Sequence, residues 1–447
     1  MPNTLQSSSK YRKAAADFFT EARAAWCDTP KKQRKGFVKP YRIDRDIVYA
    51  VTRNIAASER QLLTVCLELL GARSMLKEDL GAIVWELVEA SLKETDVNSA
   101  SANFVRDLAT RAHADSNTEY QYVRPNYLIR FARKLTMITV GPVTALFASE
   151  AIAEIKANLP DLRATLRVGK DFKLDPKLGT ESPAVIDLPA VVWMVKVNST
   201  RALVEQEARW RVEVAVSLLR LFYPNSYDPH FPRPGDLETD PFQKPSFANE
   251  GIKFSNDKLF AGGKQAPFHY IVDPAVVRIT RGARFRSLAD AIFQAREKAV
   301  SERVARCLGW LSRARQAQDP AERFLFFFTS IEALLSSQTD GAPITQTIAR
   351  HAAVILTNDV EKRQELSELL QKLYKERSAL VHRGSRDVQR EDVNIVQVLA
   401  ESLCLCTLRR VDLCMTFTEF EATLRNASFG AKWKMPLRSR VNSVPAC

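Results

Sequence analysis

The chain has 447 residues, of which 46% are hydrophobic, which is enough for two or three domains and excludes a mainly disordered protein. Lysine and arginine number 65 against 52 acidic residues, so the formal net charge is +13. This excess favours phosphate-rich partners such as RNA, although many basic proteins bind no nucleic acid. The N-terminus lacks the apolar core of a signal peptide, and the aromatic run 324–328 is too short to span a bilayer. We therefore expect a cytoplasmic protein without a membrane partner.

The cysteines form no Cys-x-x-Cys pair, and none has a histidine at metal-ligand spacing. The seven are Cys27, Cys66, Cys307, Cys404, Cys406, Cys414 and Cys447. We expect them to be reduced, mostly buried thiols, and we expect no metal and no other cofactor.

The first part of the chain predicts helices. Residues 1–30 begin with an amphipathic helix, and apolar residues recur at helical spacing over 47–94 and again over about 125–158. We therefore predict a helical N-terminal domain over 1–160.

The middle of the chain, 161–285, predicts a mixed segment. Prolines interrupt the pattern up to residue 190, a long helical pattern follows over 191–223, and proline and glycine then become frequent. We predict a linker, a long helix and a loop-rich insertion with short strands, one of them at 268–272.

The last part of the chain predicts an antiparallel helical bundle over 286–430, followed by a C-terminal tail over 431–447. Short linkers between the helices favour antiparallel neighbours. The five predicted helices lie at 286–317, 320–337, 343–357, 360–382 and 390–425, with starts at Asp319 and Asp359 and stops at Gly341 and Gly384. The predicted fold class is therefore mainly α.

Two charged residues fall on apolar stripes of this predicted bundle. The stripe of the 360–382 helix contains Leu366, Leu369, Leu370 and Leu373, and its next helical step is Arg377. Glu332 interrupts the apolar face of the 320–337 helix in the same way. A buried guanidinium cannot lose its proton and needs an anion or an aqueous cleft nearby. A buried ion pair between Glu332 and Arg377 satisfies this need and can be purely structural.

His382 follows Arg377 by five residues. Five steps of a regular helix rotate a side chain by about 140°, so the two residues do not share a face. They can act together only if the helix ends or bends between them, which Gly384 allows, or if a second subunit completes the site.

Two segments of the bundle together resemble the HEPN superfamily, in particular its ApeA-like domains, over about residues 300–420. The first is Arg323-Phe-Leu-Phe-Phe-Phe-Thr-Ser-Ile-Glu332-Ala-Leu-Leu335, and the second is Leu373-Tyr-x-x-Arg377-Ser-x-Leu-Val-His382-x-Gly384. The resemblance implies an all-α bundle that dimerises, so that arginine and histidine of both protomers line one cleft. Many members are metal-independent endoribonucleases of toxin, CRISPR or anti-phage defence systems.

The resemblance also implies roles for individual residues. Arg377 and His382 match the catalytic pair, Ser378 matches the polar position after the arginine, and Glu332 matches the acidic residue of the earlier helix. Ser378 stands where asparagine, aspartate or histidine is commoner. The neighbouring basic residues that we expect to contact the RNA backbone are Lys375, Arg383 and Arg386.

The expected function is metal-independent RNA cleavage. RNA supplies its own nucleophile, the 2′-hydroxyl, so a neutral histidine can move the proton and an arginine can hold the phosphate. The alternative is a non-catalytic helical module that binds RNA or a protein, with Glu332 and Arg377 as a structural pair. Residues 1–285 show no specific resemblance, and by analogy with defence proteins we expect them to sense an unknown trigger.

Overall fold

The structure is a computed structural model. It describes residues 4–28, 53–70, 75–92, 94, 96–126, 129–132, 134–161, 165–168, 185–222, 252–255, 258–261, 270–317, 319–336, 344–384, 387–431 and 433. Most of these residues are helical, and a small antiparallel sheet and several short strands accompany the helices. None of the described helices is long and apolar enough to cross a membrane.

The chain divides into two compact units. One comprises Met1–Tyr122 with Lys196–Ala208, and the other comprises Val123–Val195 with Arg209–Cys447. The helices of the first unit are α1 (Thr4–Ser7), α2 (Ser9–Asp28), α3 (Arg53–Leu70), α4 (Lys77–Ser91) and α5 (Val97–Ser116). Their core is aromatic: Phe19 stacks on Phe104, and Phe18 meets Trp85 edge to face. The helices predicted for this stretch are confirmed over their described residues.

The predicted helical pattern over 125–158 is wrong for most of its length, because the structure forms strands there. The elements between α5 and the C-terminal helices are β1 (Glu119–Asn126), β2 (Ile129–Phe131), β3 (Met137–Val140), β4 (Val143–Phe147), α6 (Ala148–Asn158), β5 (Thr165–Val168), β6 (Val185–Leu188), β7 (Val191–Asn198), α7 (Val204–Phe222), β8 (Ile252–Ser255), β9 (Lys258–Ala261) and β10 (Tyr270–Val272). β1, β7, β4 and β3 form the four-stranded sheet in that order. β10 pairs in parallel with β2 and lies inside the strand predicted at 268–272.

The long helix predicted over 191–223 is also wrong in its first part, where β7 precedes α7. Along the second half of β7 the side chains alternate between buried and exposed: Val195 and Val197 are buried, whereas Lys196 and Asn198 are exposed. Branched residues fit this pleated surface well. An apolar run with several valines fits either type of element, so periodicity alone did not separate the strand from the helix.

The C-terminal helices belong to the second unit. They are α8 (Pro274–Arg281), α9 (Ala283–Phe293), α10 (Val300–Gln316), α11 (Pro320–Leu335), α12 (Ile344–Leu356), α13 (Val360–Arg383), α14 (Arg390–Arg410) and α15 (Phe417–Ser428). Asp319 and Asp359 cap α11 and α13 by accepting hydrogen bonds from first-turn amides. Gly384 ends α13 with a φ of +65°, a left-handed conformation that glycine adopts without a steric cost. These starts and this stop are confirmed, whereas Gly341 lies outside the described residues.

Two of the five predicted helices are each broken into two. The 286–317 helix is interrupted between α9 and α10, and the 390–425 helix between α14 and α15. The two breaks pair with each other through a bridge between Ala299 and Thr416. Ala299 provides no side-chain cap for α10, so the start signal there is limited to Glu302, which accepts a hydrogen bond from the Lys298 amide. At the second break, the Thr416 and Glu419 capping box is a start signal that the predicted boundaries overlooked.

The cysteines follow the sequence expectation only in part. Cys66, Cys307 and Cys404 are buried free thiols, and Cys406 is a free thiol at an intermediate depth. Cys414 is disulfide-bonded, so the expectation of a reduced thiol is wrong at this position. Disulfide formation requires a Cα separation of about 4.4–6.8 Å, which spacing along the sequence does not reveal.

Candidate functional site

Glu332 of α11 and Arg377 of α13 form an ion pair. Nη2 of Arg377 donates a hydrogen bond to Oε2 of Glu332 at 3.2 Å. The side chains are 25% and 20% exposed for Arg377 and Glu332 respectively, so the pair lies at the edge of the core, where water still reaches it. The pair that the apolar stripes predicted is therefore present.

The position of each charged residue around its helix explains why the two meet. On α13, Leu370 and Leu373 are buried, and Arg377 occupies the next step of the same stripe. On α11, Phe328 is buried and Glu332 follows it by one turn. Each charge therefore extends an apolar face to the point where that face reaches solvent.

Tyr374 joins the pair, and the sequence reasoning gave it no role. Its hydroxyl donates a hydrogen bond to Oε1 of Glu332. The Arg377 guanidinium carbon lies 5.6 Å from the centroid of the Tyr374 ring, and Phe328 meets that ring edge to face at 5.5 Å. The available signal was the spacing, because residues three apart on a helix lie on the same face.

The electrostatic environment keeps Tyr374 a hydrogen-bond donor. Burial raises the pKa of its hydroxyl well above the ordinary value, and both the hydrogen bond to Glu332 and the Glu332 charge raise it further, whereas Arg377 lowers it. The tyrosine is therefore neutral at physiological pH. Both oxygens of the Glu332 carboxylate are then satisfied, one by a hydroxyl and the other by a guanidinium.

Arg377 retains hydrogen-bonding capacity beyond this pair. Its side chain is 25% exposed, whereas its Nε is buried and makes no hydrogen bond to the described residues, so a ligand would meet the outer part of the guanidinium. A guanidinium presents five N–H donors in a planar fork that matches phosphate oxygens. An anion reaching this edge of α13 would find the guanidinium plane already fixed by Glu332 and Tyr374.

His382 lies apart from the ion pair within one chain. It is exposed in the last turn of α13, and the helix continues without interruption through Arg383. Helix geometry places it about 140° around the axis and about 7.5 Å along it from Arg377. Since the helix does not end between the two residues, one of the two conditions for a joint action of Arg377 and His382 is not met within this chain.

The other predicted site residues are distributed around this end of α13. Ser378 is partly buried, and Lys375 and Arg383 are exposed. Arg386 lies outside the described residues. Across the described ranges, no three histidine, cysteine, aspartate or glutamate side chains cluster in a way that could hold a metal ion.

Comparison of the chain with models of protein families, with curated proteins and with solved structures finds no match.

Proposed function

We propose that the C-terminal helices form a HEPN-like domain and that the protein is a metal-independent endoribonuclease. The observation that supports this most directly is the state of Arg377. It is only partly buried, with a side chain that is 25% exposed, Glu332 and Tyr374 orient it, and an exposed histidine follows within the same helix end. The sequence resemblance supports a role in prokaryotic anti-phage or toxin-like defence.

The proposed reaction uses the RNA 2′-hydroxyl as the nucleophile. Its oxygen attacks the adjacent phosphorus, the bond from phosphorus to the 5′-oxygen breaks, and a 2′,3′-cyclic phosphate remains. His382 acts as the general base that takes the 2′-hydroxyl proton, or as the general acid that protonates the leaving 5′-oxygen. Arg377 holds the phosphate and stabilises the additional negative charge of the phosphorane.

The proposed active form is a homodimer, because one protomer does not place His382 beside Arg377. Isologous two-fold contacts bring the same residues of both copies to one axis. His382 of one protomer can then serve a phosphate that Arg377 of the other protomer holds. Lys375, Ser378, Arg383 and Arg386 are the proposed supporting contacts to RNA.

The direct test compares wild-type protein with Arg377→Ala and His382→Ala on labelled RNA in EDTA. We expect wild-type protein to leave 2′,3′-cyclic phosphate ends and each variant to lower the cleavage rate by about 100-fold or more, the usual contribution of a general acid or base. Cleavage that persists in both variants, or that requires an added metal ion, would sink the assignment.

We also propose that residues 1–285 sense an unknown trigger. Because the purified protein would then be inactive without this trigger, the cleavage assay is repeated in cells. We expect expression of the wild-type chain in infected bacteria to yield RNA ends that carry 2′,3′-cyclic phosphates. Expression of His382→Ala should not yield them. Equal amounts of such ends in the two strains would count against the enzyme.

One observation favours a second candidate, a non-catalytic helical module that binds RNA or a protein. Glu332 has both oxygens occupied by side chains of α13, which is the arrangement expected of a structural pair. In that case Arg377→Ala lowers the melting temperature and His382→Ala leaves the biological effect intact. Loss of the effect in a fully folded His382→Ala protein decides for the enzyme.

A further inference from the structure

A surface of aromatic and arginine side chains lies where α7, α10 and α11 meet. We call Trp210, Trp310, Arg313 and Phe326 the aromatic–arginine patch. The guanidinium carbon of Arg313 lies 5.2 Å from the ring centroid of Trp210 and 5.1 Å from that of Trp310. Trp310 in turn packs on Phe326 with their ring centroids 5.5 Å apart. Three rings and one cation therefore form a continuous row.

Close packing against a helix backbone holds one ring of this row, Trp210. A Cβ atom at Gly309 would lie 2.0 Å from Cη2 of Trp210, so the indole of α7 rests directly on the backbone of α10. Only glycine permits this approach. The position of the Trp210 ring is consequently restricted before any ligand arrives, which lowers the entropic cost of stacking on it.

The patch is accessible to solvent. Trp210, Trp310 and Phe326 are all partly exposed, and the Arg313 side chain is 40% exposed. Two other phenylalanines of α11, Phe324 and Phe327, are fully buried. Phe326 therefore lies on a different face of α11, which reaches the surface. Clustered aromatic rings at a surface are a common property of binding sites.

The arginine of the patch is held by a buried carboxylate. Nε of Arg313 donates to Oε2 of the buried Glu213 at 3.2 Å. Burial raises the pKa of the Glu213 carboxyl, and the positive charges of Arg313, Arg124 and Arg209 oppose that rise. Arg313 thus combines a fixed ion pair with a partly exposed guanidinium face, and such a cation can also attract a phosphate.

We propose that the aromatic–arginine patch binds single-stranded RNA by stacking unpaired bases on its rings. Aromatic rings combined with arginines are the usual means of binding single strands without sequence preference, because every base has a π-face. Paired bases in a duplex are stacked on each other and cannot insert. The choice of RNA as the nucleic acid rests on the function proposed above, whereas the single-stranded character follows from the rings.

The patch and the ion pair share one helix. Phe326 and Glu332 both belong to α11, and their separation in sequence corresponds to about 9 Å along the axis and about 120° around it. A strand held on the patch can therefore follow α11 towards Arg377 within a few nucleotides. In this arrangement the patch selects unpaired substrate and Arg377 receives the scissile phosphate.

The test measures binding without cleavage. The probe is a fluorescein-labelled oligouridylate of about twelve nucleotides, within the site size of single-strand binders, in which 2′-fluoro groups replace the attacking hydroxyls. With the full chain in EDTA, we expect Trp310→Ala and Phe326→Ala each to weaken binding by about 5- to 100-fold, because one stacking contact is lost. The conservative Trp310→Phe should retain most of the affinity.

The matched control is Phe429→Ala, which removes an aromatic ring that is 81% exposed and lies outside the patch. This variant should bind like the wild type, and a duplex probe of equal length should bind at least about ten times more weakly. Wild-type affinity in folded patch variants, or equal affinity for the duplex, would overturn the proposal.

A second measurement does not depend on how the variants fold. A single-stranded oligonucleotide that carries 4-thiouridine is crosslinked to the wild-type chain, and we expect the crosslinked peptides to come from α7, α10 or α11. Crosslinks confined to other peptides would contradict the proposal. Because the fluorinated probe cannot be cleaved through its 2′-position, a failure of the nuclease assay leaves the binding result unaffected, and the two failures are distinguishable.

Discussion

At the scale of single residues, Glu332 accepts hydrogen bonds from Tyr374 and Arg377, and the two donors differ in what they contribute. Arg377 carries the charge that the proposed reaction needs, and Tyr374 holds the carboxylate that orients this charge. Tyr374 is therefore a positioning residue. Its effect should appear in turnover more than in substrate affinity, because its contact is with Glu332 and not with RNA.

We predict that Tyr374→Phe lowers kcat for RNA cleavage by about 3- to 10-fold, which corresponds to roughly 1 kcal/mol from a hydrogen bond between a neutral and a charged group. KM should change little. The control is Tyr11→Phe, which removes a hydrogen bond of 2.7 Å from the Tyr11 hydroxyl to the carbonyl of Val105 in the first compact unit. A similar kcat loss in both variants would show that Tyr374 acts only through general stability.

His351 of α12 makes stability depend on pH. It is 5% exposed, and burial lowers its pKa from the usual 6.5 to about 4, with Arg350 and Arg425 lowering it further and Glu421 opposing them. Above pH 6.5 the histidine is mainly neutral in both the folded and the unfolded chain. Below this pH the unfolded chain binds a proton that the folded chain excludes, so stability falls.

We predict that His351 accounts for a loss of about 2 kcal/mol of unfolding free energy between pH 7 and pH 5, at 1.36 kcal/mol for each pKa unit of the difference. His351→Gln should lose less over this range, as measured by urea unfolding. Above pH 7 the difference in unfolding free energy between the two proteins gives the packing cost of the substitution alone. Parallel pH curves for the two proteins would contradict the assignment.

At the scale of elements, the close contact between α7 and α10 depends on Gly309. Alanine has a better helix propensity than glycine by about 0.5–1 kcal/mol. A Cβ at this position would nevertheless overlap the Trp210 ring, and overpacking of this kind costs about 1–3 kcal/mol. The steric term should exceed the propensity term.

Gly309→Ala should therefore lower the melting temperature by several degrees, which is the shift that roughly 1–2 kcal/mol produces in a domain of this size. It should also alter tryptophan fluorescence, because Trp210 must move. Gly384→Ala is the matched control. A Cβ there meets nothing within 4 Å, so that variant should show the cost of its positive φ without a fluorescence change. A stabilised Gly309→Ala protein would show that the indole moves at no cost.

The sequence predicted some elements well because their signals are local. Asp319, Asp359 and Gly384 act within one turn of the helices that they bound, so they can be recognised without knowledge of the fold. The start of α10 has a weaker local signal, because Ala299 cannot cap it and its backbone pairs with the distant segment around Thr416. β7 was missed because its valines suit a helix or a strand, and the neighbouring strands decide between them.

The candidate site was predictable to a similar extent. Charges on apolar stripes pointed to Glu332 and Arg377, since a buried charge requires a partner. Tyr374 received no role from the sequence, because a sequence does not show where the hydroxyl of a tyrosine lies. The aromatic–arginine patch was missed because Trp210, Trp310 and Phe326 come from three different helices.

At the scale of the whole molecule, the positive charge is partly used within the fold. Several arginines donate hydrogen bonds to backbone carbonyls near helix ends: Arg303 to Ser336, Arg323 to Ala317, Arg363 to Ala427 and Arg410 to Ile355. These groups satisfy carbonyls that have no partner within their own helices. These guanidinium groups keep their charge and still contribute to the net charge of +13, but the N–H donors that they use in this way are not available to a ligand.

The proposed dimer can be tested with inactive variants. Arg377→Ala and His382→Ala should each be inactive alone, and mixing equal amounts after subunit exchange should restore about a quarter of wild-type activity. Half of the dimers are then mixed, and each mixed dimer keeps one of its two sites. The control mixes Arg377→Ala with itself at the same total concentration. No recovery after verified exchange would mean that each protomer carries its own complete site or none.

The bridge between Ala299 and Thr416 has a consequence for how these helices open. The amide of Val300 donates to Met415, that of Ser301 to Leu413 and that of Phe417 to Lys298. First-turn amides normally fray and exchange their hydrogens with solvent quickly. Here two helix starts secure each other, so we expect these three amides to exchange as slowly as the core of α11, which hydrogen-exchange mass spectrometry or NMR can measure. Rapid exchange would mean that the starts of α10 and α15 open independently. Slow exchange would mean that the two helix starts lose their hydrogen bonds together, in a single cooperative opening.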